Sequence, residues 1–241
     1  MDFLSKIALA LDLPSEKDLI NILTSLQPQP KIVKIGLEII YALGLENCLN
    51  LVAKYLPNAD IFLDLKLHDI PNTVAQAVLA LTKFKVKYLT VHALGGQLML
   101  EKALEKTKNS DINLVAITVL TSHSEENLKK DFDLPANFEL FNLSQKLAKI
   151  SLEAGLKYIV CSAHESKLLK QKFSQLKTIT PGIRLPDKLN SVSSDDQARI
   201  ITPSIAFSEA NSDLIVIGRP IYQAPNPQSA WIELLKSCNN N

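Results

Sequence analysis

The chain of 241 residues is 46% hydrophobic and 21% charged, which excludes disorder and collagen-like repeats and is typical of a globular protein with a full core. Its 26 basic and 25 acidic residues leave a net charge of +1, so bulk charge does not favour binding to nucleic acid or to an anionic membrane. No signal-like leader, no apolar run of about 18 residues and no paired cysteine spacing occur among Cys48, Cys161 and Cys238. These features predict a cytoplasmic protein without a membrane span, disulfide framework or thiolate metal site.

Short apolar runs bounded by turn signals predict eight strands, in chain order at residues 6–12, 31–36, 61–66, 88–93, 114–120, 158–162, 178–183 and 214–219. The segments between them have helical periodicity, with Ser15 as a candidate N-cap and Pro71 fitting a first helical turn. Stretches around 122–136 and 184–194 are predicted as long loops.

The spacing of these strands is that of repeated βαβ units, about 30 residues each. Eight such units predict an α/β chain with a (β/α)8 TIM barrel fold, as a single domain over residues 1–241. A doubly wound open sheet is the alternative. It would usually place a glycine-rich phosphate loop after the first strand, where this chain reads LDLPSEK.

Scarce residue types fall at the predicted carboxyl ends of the strands, which is the face that carries the active site in such barrels. Four histidines follow strands three to six: His68, His92, His123 and His164. Any one of them taken alone is more often a hydrogen-bonded structural imidazole. Arg184 and Arg219 end strands seven and eight, near Gly182 and Gly218. A single arginine there is as often a solvated surface charge, but the pair with its glycines favours a phosphate site.

The third strand, IFLDLKLHDIPNT, carries the strongest signal. Strand periodicity places Phe62, Asp64 and Lys66 on the face that points into the barrel, and buried charges of this kind require partners. Asp69 follows in the next loop, while Lys34 and Asp12 end the two preceding strands, at the same mouth. A lysine held between carboxylates stays protonated and can act as a general acid toward a developing carbanion without a cofactor. The alternative is an ion-pair network that only fixes the barrel.

Two further interpretations stay open on the residues alone. One is a magnesium-dependent sugar-phosphate decarboxylase or aldolase on the same barrel, with Asp64 and Asp69 as metal ligands. The other is a non-catalytic barrel that binds a phosphate ligand.

The motif Asp64-x-Lys66-x-x-Asp69, extended by HDIPNT at 68–73, resembles the bacterial orotidine 5′-phosphate decarboxylase family. Further matches run in order along the chain: LALD at 9–12, VKIG at 33–36, VHALGG at 91–96, TVLTS at 118–122, TPGIR at 180–184, DDQ at 195–197 and VIGRP at 216–220. The resemblance implies a homodimeric barrel that converts orotidine monophosphate to UMP in pyrimidine biosynthesis, without metal or organic cofactor.

The same resemblance implies a role for each matching residue. Lys66 would protonate C6, and Lys34, Asp64 and Asp69 would complete the charge network. Asp69 and Thr73 would reach the partner subunit's site. The remaining substrate contacts would come from Asp12 and Lys34 at the ribose, Thr121 near the pyrimidine, and Arg184, Gln197, Gly218 and Arg219 at the phosphate.

Overall fold

Eight parallel strands follow one another in chain order around a closed barrel, which confirms the predicted (β/α)8 fold. The structure is a computed structural model and describes residues 2–185 and 201–238. The strands are β1 (Ile7–Ala10), β2 (Ile32–Gly36), β3 (Asp60–Leu67), β4 (Tyr88–His92), β5 (Asn113–Ile117), β6 (Tyr158–Val160), β7 (Lys177–Thr180) and β8 (Leu214–Ile217).

Helices connect the strands. Those of the described residues are α1 (Glu16–Ser25), α2 (Leu37–Leu43), α3 (Leu45–Tyr55), α4 (Pro71–Leu81), α5 (Gly96–Glu105), α6 (Glu125–Asp131), α7 (Leu140–Glu153), α8 (Ala163–Lys172), α9 (Pro203–Ser208), α10 (Arg219–Tyr222) and α11 (Pro227–Ser237). Both predicted starts are confirmed: Ser15 caps α1 by accepting the Asp18 N–H at 3.2 Å, and Pro71 opens α4. No helix in the described ranges is long and apolar enough to cross a membrane.

The predicted loop at 122–136 is wrong in its middle, where α6 forms. Ser124 caps this helix by accepting the Asn127 N–H at 3.1 Å. Acidic residues in the first turn and lysines in the last complement the helix dipole, so a short charged segment becomes helical without an apolar stripe. The other predicted loop, 184–194, lies almost wholly outside the described residues, as does Gln197.

The described chain divides into two compact units. The first contains the residues up to Leu65 and those from Gly182 onward, and the second is Lys66–Pro181. The prediction of one domain over residues 1–241 stays a prediction.

In the first unit β1 lies between β2 and β8, with Ala8 paired to Ile32 on one side and to Val216 on the other. The C-terminal helix α11 is tied to the α1–β2 connection. The Trp231 indole N–H donates to the Pro28 carbonyl at 2.8 Å, and Gln27 and Gln228 exchange two hydrogen bonds of 2.7 Å. These contacts join the two sequence-distant parts of the unit.

In the second unit β4 pairs with β5, β5 with β6, and β6 with β7. The strand interiors are mostly Val, Ile, Leu and Ala with exposure near zero, together with the fully buried Thr90 and Thr178. The helices α4, α5, α7 and α8 pack in sequence order. The apolar run of each strand ends just before a polar or charged residue. The carboxyl ends of the strands therefore carry the candidate site residues.

Candidate active site

An ion-paired lysine lies at the carboxyl end of β2 in the first unit. The Lys34 Nζ is 3.1 Å from Asp12 Oδ1 and 3.4 Å from Asp64 Oδ2. The side chains of Lys34 and Asp64 are only 10% and 12% exposed, whereas that of Asp12 is 36% exposed. The strand register brings these three side chains together, because Ala10 on β1 pairs with Lys34 and Gly36 on β2 pairs with Asp64. Sequence reasoning placed Lys34 in a charge network with carboxylates, and the structure places its ammonium against those of Asp12 and Asp64.

Gly36 makes room for this ion pair. A Cβ at position 36 would lie 2.5 Å from Asp12 Oδ1 and 3.2 Å from Lys34 Nζ. The absence of a side chain therefore lets Asp12 reach across to the lysine.

Gly218 and Arg219 follow β8 in the same unit, at the start of α10. A Cβ on Gly218 would meet the Ala10 Cβ at 3.0 Å and Tyr222 Cε1 at 3.1 Å, so any side chain here would push these neighbours aside. The Arg219 guanidinium is exposed. It is thus available to an anion, as the phosphate prediction requires.

Tyr222 is a residue that sequence reasoning missed. Burial raises the pKa of its phenol, the charges of Asp12 and Glu38 raise it further, and the Arg219 charge acts in the opposite direction. The phenol therefore lies within electrostatic reach of both Asp12 and Arg219. The available signal was its position three residues after Arg219, one helical turn on.

Lys66 begins the second unit and has an unusual backbone. Its φ is +49°, in the left-handed region that non-glycine residues rarely adopt. Its N–H donates to Thr90 Oγ1 on β4 at 2.7 Å. Strand periodicity assumed a regular strand through this position, so the conformation of Lys66 was not predicted.

Two histidines stack beside Lys66. The rings of His68 and His92 lie 5.2 Å apart at 22°. The Leu94 N–H donates to His92 Nδ1 at 3.3 Å. Burial lowers the pKa of His92 to about 4, and the nearby His68 and Lys66 charges act in the same direction. His92 is therefore neutral near pH 7, with its proton on Nε2.

The other predicted site residues of the described chain occupy surface loops and helix starts. Asp69 is exposed and accepts the Ile70 N–H at 2.6 Å, and Thr73 is exposed on the first turn of α4. Thr121 is exposed after β5. Arg184 Nη1 donates to the Ile183 carbonyl at 3.2 Å, and the Arg184 N–H donates to the Ile201 carbonyl at 3.0 Å.

The described residues contain no group of three or more His, Cys, Asp or Glu side chains placed to hold a metal ion. Asp64, one of the two carboxylates named for the magnesium-dependent alternative, is paired with Lys34. The predicted histidines His123 and His164 are both exposed.

Comparison with known proteins gives a consistent set of relatives. Residues 5–234 match the model of the orotidine 5′-phosphate decarboxylase / HUMPS family. The orotidine 5′-phosphate decarboxylase of Legionella pneumophila (strain Corby) is 40% identical over 235 residues, covering 96% of this chain and 98% of that protein. The orotidine 5′-phosphate decarboxylase of Shewanella sediminis is 41% identical over 236 residues, covering 96% of both.

A solved structure agrees with these sequence matches. The crystal structure of orotidine 5′-phosphate decarboxylase from Lactobacillus acidophilus superposes with a TM-score of 0.77 at 33% identity, covering 97% of this chain and 98% of that one.

Proposed function

Because this chain belongs to the orotidine 5′-phosphate decarboxylase / HUMPS family, we propose that it decarboxylates orotidine 5′-monophosphate to UMP in pyrimidine biosynthesis. The observation that carries the proposal is an identity of 40% to a decarboxylase of that name across nearly the whole length of both chains. The enzyme works in the cytoplasm, in keeping with its three free cysteines.

The proposed reaction breaks the bond between C6 and the substrate carboxylate. Carbon dioxide leaves, the electron pair stays on C6, and the Lys66 ammonium supplies the proton that replaces the carboxylate. Asp64 and Asp69 flank the Lys66 ammonium and repel the substrate carboxylate, and that repulsion ends when neutral CO₂ departs. The Lys34 ammonium, held by Asp12 and Asp64, supports this network by fixing the Asp64 carboxylate.

Binding uses groups away from the reacting carbon. Asp12 and Lys34 contact the ribose hydroxyls, and Thr121 lies near the pyrimidine. Arg219 and Gly218 bind the phosphate together with Arg184 and Gln197. The exposed guanidinium of Arg219 and the glycine that precedes it support this assignment.

We infer that the working form is a homodimer in which Asp69 and Thr73 reach the partner's site. Ile70, Leu94 and Leu98 are each more than half exposed, and they occupy the loops and helix starts that follow β3 and β4. Exposed apolar side chains, of which Ile70 directly follows Asp69, fit an interface better than a solvated surface.

The first test is the loss of orotidine monophosphate absorbance in buffer with excess chelator. Full activity supports the proposal, whereas activity that returns only with added magnesium favours the sugar-phosphate alternative. A Lys66→Ala chain should lose nearly all turnover and still bind UMP through Arg219. Substantial decarboxylation by Lys66→Ala would remove Lys66 from the proton-donor role.

Subunit mixing tests the shared site. A heterodimer of Lys66→Ala and Asp69→Ala chains has one site that lacks both groups and one that is intact, because a two-fold interface exchanges the same residues in both directions. Unfolding and reassembling equal amounts of the two inactive variants should recover roughly a quarter of the wild-type activity. A mixture that stays inactive after heterodimers have formed would show that Asp69 acts within its own chain.

A further inference from the structure

The left-handed backbone at Lys66 is energetically unfavourable and needs an explanation. With φ at +49°, the Cβ of Lys66 crowds its own main chain, and a strand residue would ordinarily stay extended. Such conformations persist where the surroundings hold them, and they occur often at functional sites. Lys66 lies next to the last residue of β3, so the strained residue directs both its own side chain and the loop that follows.

Contacts from β4 hold this segment at two points. Thr90 is fully buried, and its Oγ1 accepts the Lys66 N–H at 2.7 Å. Two residues further along β4, the His92 ring stacks on the His68 ring, two residues beyond Lys66. Thr90 and His92 are two residues apart on β4 and therefore lie on one face of that strand, which contacts both the backbone at Lys66 and the ring of His68.

His92 is suited to a place beside a protonated lysine. The Leu94 N–H fixes the orientation of the ring through Nδ1, at 3.3 Å. The ring is buried and uncharged near pH 7, so it does not repel the Lys66 ammonium. A cationic side chain at this position would do so.

We propose that Thr90 is a positioning residue for catalysis: its hydroxyl, with the stacked His92 ring, holds Lys66 in the left-handed conformation and so directs the lysine side chain. The inference rests on the proposed function, in which Lys66 donates the proton to C6. A change from left-handed to extended backbone would turn the Cα–Cβ bond and move the ammonium away from its target. Because Lys66 acts in the chemical step, the effect should fall on kcat and leave ground-state binding largely intact.

The experiment compares three variants with the wild type. Thr90→Val keeps the shape of the side chain and removes the acceptor, Thr90→Ser keeps the acceptor, and Thr178→Val is the matched control. Thr178 is also fully buried, and its Oγ1 accepts from the Ser166 hydroxyl at 2.7 Å. We expect Thr90→Val to lower kcat about tenfold or more with KM within about threefold of wild type. Thr90→Ser should stay near the wild-type kcat, as should Thr178→Val.

Amide hydrogen exchange provides a second readout that does not depend on turnover. The Lys66 N–H should exchange about tenfold faster or more in Thr90→Val, and at the wild-type rate in Thr90→Ser and Thr178→Val, because only the first loses the acceptor. If Thr90→Val does not fold, Thr90→Cys replaces it, since a thiol of similar size is a weak acceptor.

The outcomes separate the two proposals. A wild-type chain without decarboxylase activity refutes the proposed function, and the exchange rate of the Lys66 amide then decides alone whether Thr90 holds this backbone. An active wild type with an unchanged kcat in Thr90→Val overturns the positioning role. Equal losses of kcat in Thr90→Val and Thr178→Val also overturn it, because they would report only the general loss of a buried hydroxyl group.

Discussion

Replacing Lys34 by methionine tests the buried ion pair most directly. Methionine keeps the apolar length of the side chain and removes the ammonium, which leaves Asp64 almost buried without that countercharge. At the observed distances of 3.1 and 3.4 Å, each attraction is about 5 kcal/mol at an effective dielectric constant near 20. The cost of burying Lys34 offsets much of this sum, and Asp12 is partly solvated. We therefore expect Lys34→Met to lower the free energy of unfolding by about 2–4 kcal/mol.

The assay is urea denaturation at pH 7, at one fixed protein concentration because an oligomer would make stability depend on it. Adding Asp64→Asn to Lys34→Met should recover more than about 1 kcal/mol, since the double variant no longer buries the Asp64 charge. Lys149→Met is the surface control: its pair with Glu153 at 3.6 Å is exposed and should contribute less than about 0.5 kcal/mol. A loss below about 1 kcal/mol in Lys34→Met, or additive effects in the double variant, would refute the reasoning.

Three further predictions follow from the same geometry. Gly36→Ala should lower kcat/KM about tenfold or more in steady-state assays, because the new Cβ displaces Asp12 from Lys34; an unchanged value would contradict the close fit. Arg219→Ala should lower kcat/KM, with a loss of transition-state stabilisation of about 2 kcal/mol or more, since phosphate binding energy helps to organise the transition state. Wild-type kinetics in this variant would mean that the phosphate binds elsewhere. The pKa of His92 is about 4 in the folded chain, below its usual 6.5, so the unfolded state takes up the proton first and stability falls as the pH drops from 6.5 toward 4. Denaturation at pH 7 and 4.5 should show a loss about 1–3 kcal/mol smaller in His92→Phe, and an equal loss would contradict a buried neutral imidazole.

The strands and their order were predictable because short apolar runs recur regularly along the sequence. Most strand residues of this barrel are apolar on both faces, so short Val, Ile and Leu runs stand out from the amphipathic segments between them. The predicted ends were too long at β1, β5, β6, β7 and β8, because each predicted strand ran into the loop that follows it. After β5, for example, the apolar Val119 and Leu120 lie beyond the last strand residue. The helix α6 was missed because its stability comes from Ser124 and from end charges, which leave no periodic apolar stripe.

Site chemistry was predictable only as far as residue type reveals it. Lys34, Asp64 and Asp12 could be grouped because charges at the ends of adjacent strands must find partners. The proposed positioning roles of Thr90 and His92 could not be predicted from the sequence. A threonine in a strand is common for its β propensity, and a single histidine is most often a hydrogen-bonded imidazole. The left-handed backbone at Lys66 has no sequence signal at all, because glycine or asparagine would mark it and lysine does not.

The pairing of β1 with both β2 and β8 determines when the first unit can be completed during synthesis. Ala8 meets Ile32 soon after both leave the ribosome, but its other neighbour, Val216, is translated roughly 200 residues later, an interval of about 10–40 s at ~5–20 residues per second. For that time one edge of an apolar strand has no neighbour and is open to pairing with other chains. The contacts of Trp231 and Gln228 with the α1–β2 connection form last of all. Lys66–Pro181, by contrast, is contiguous and has left the ribosome before β8 is made. The first strand therefore exposes this protein to co-translational aggregation until β8 has been made and pairs with it.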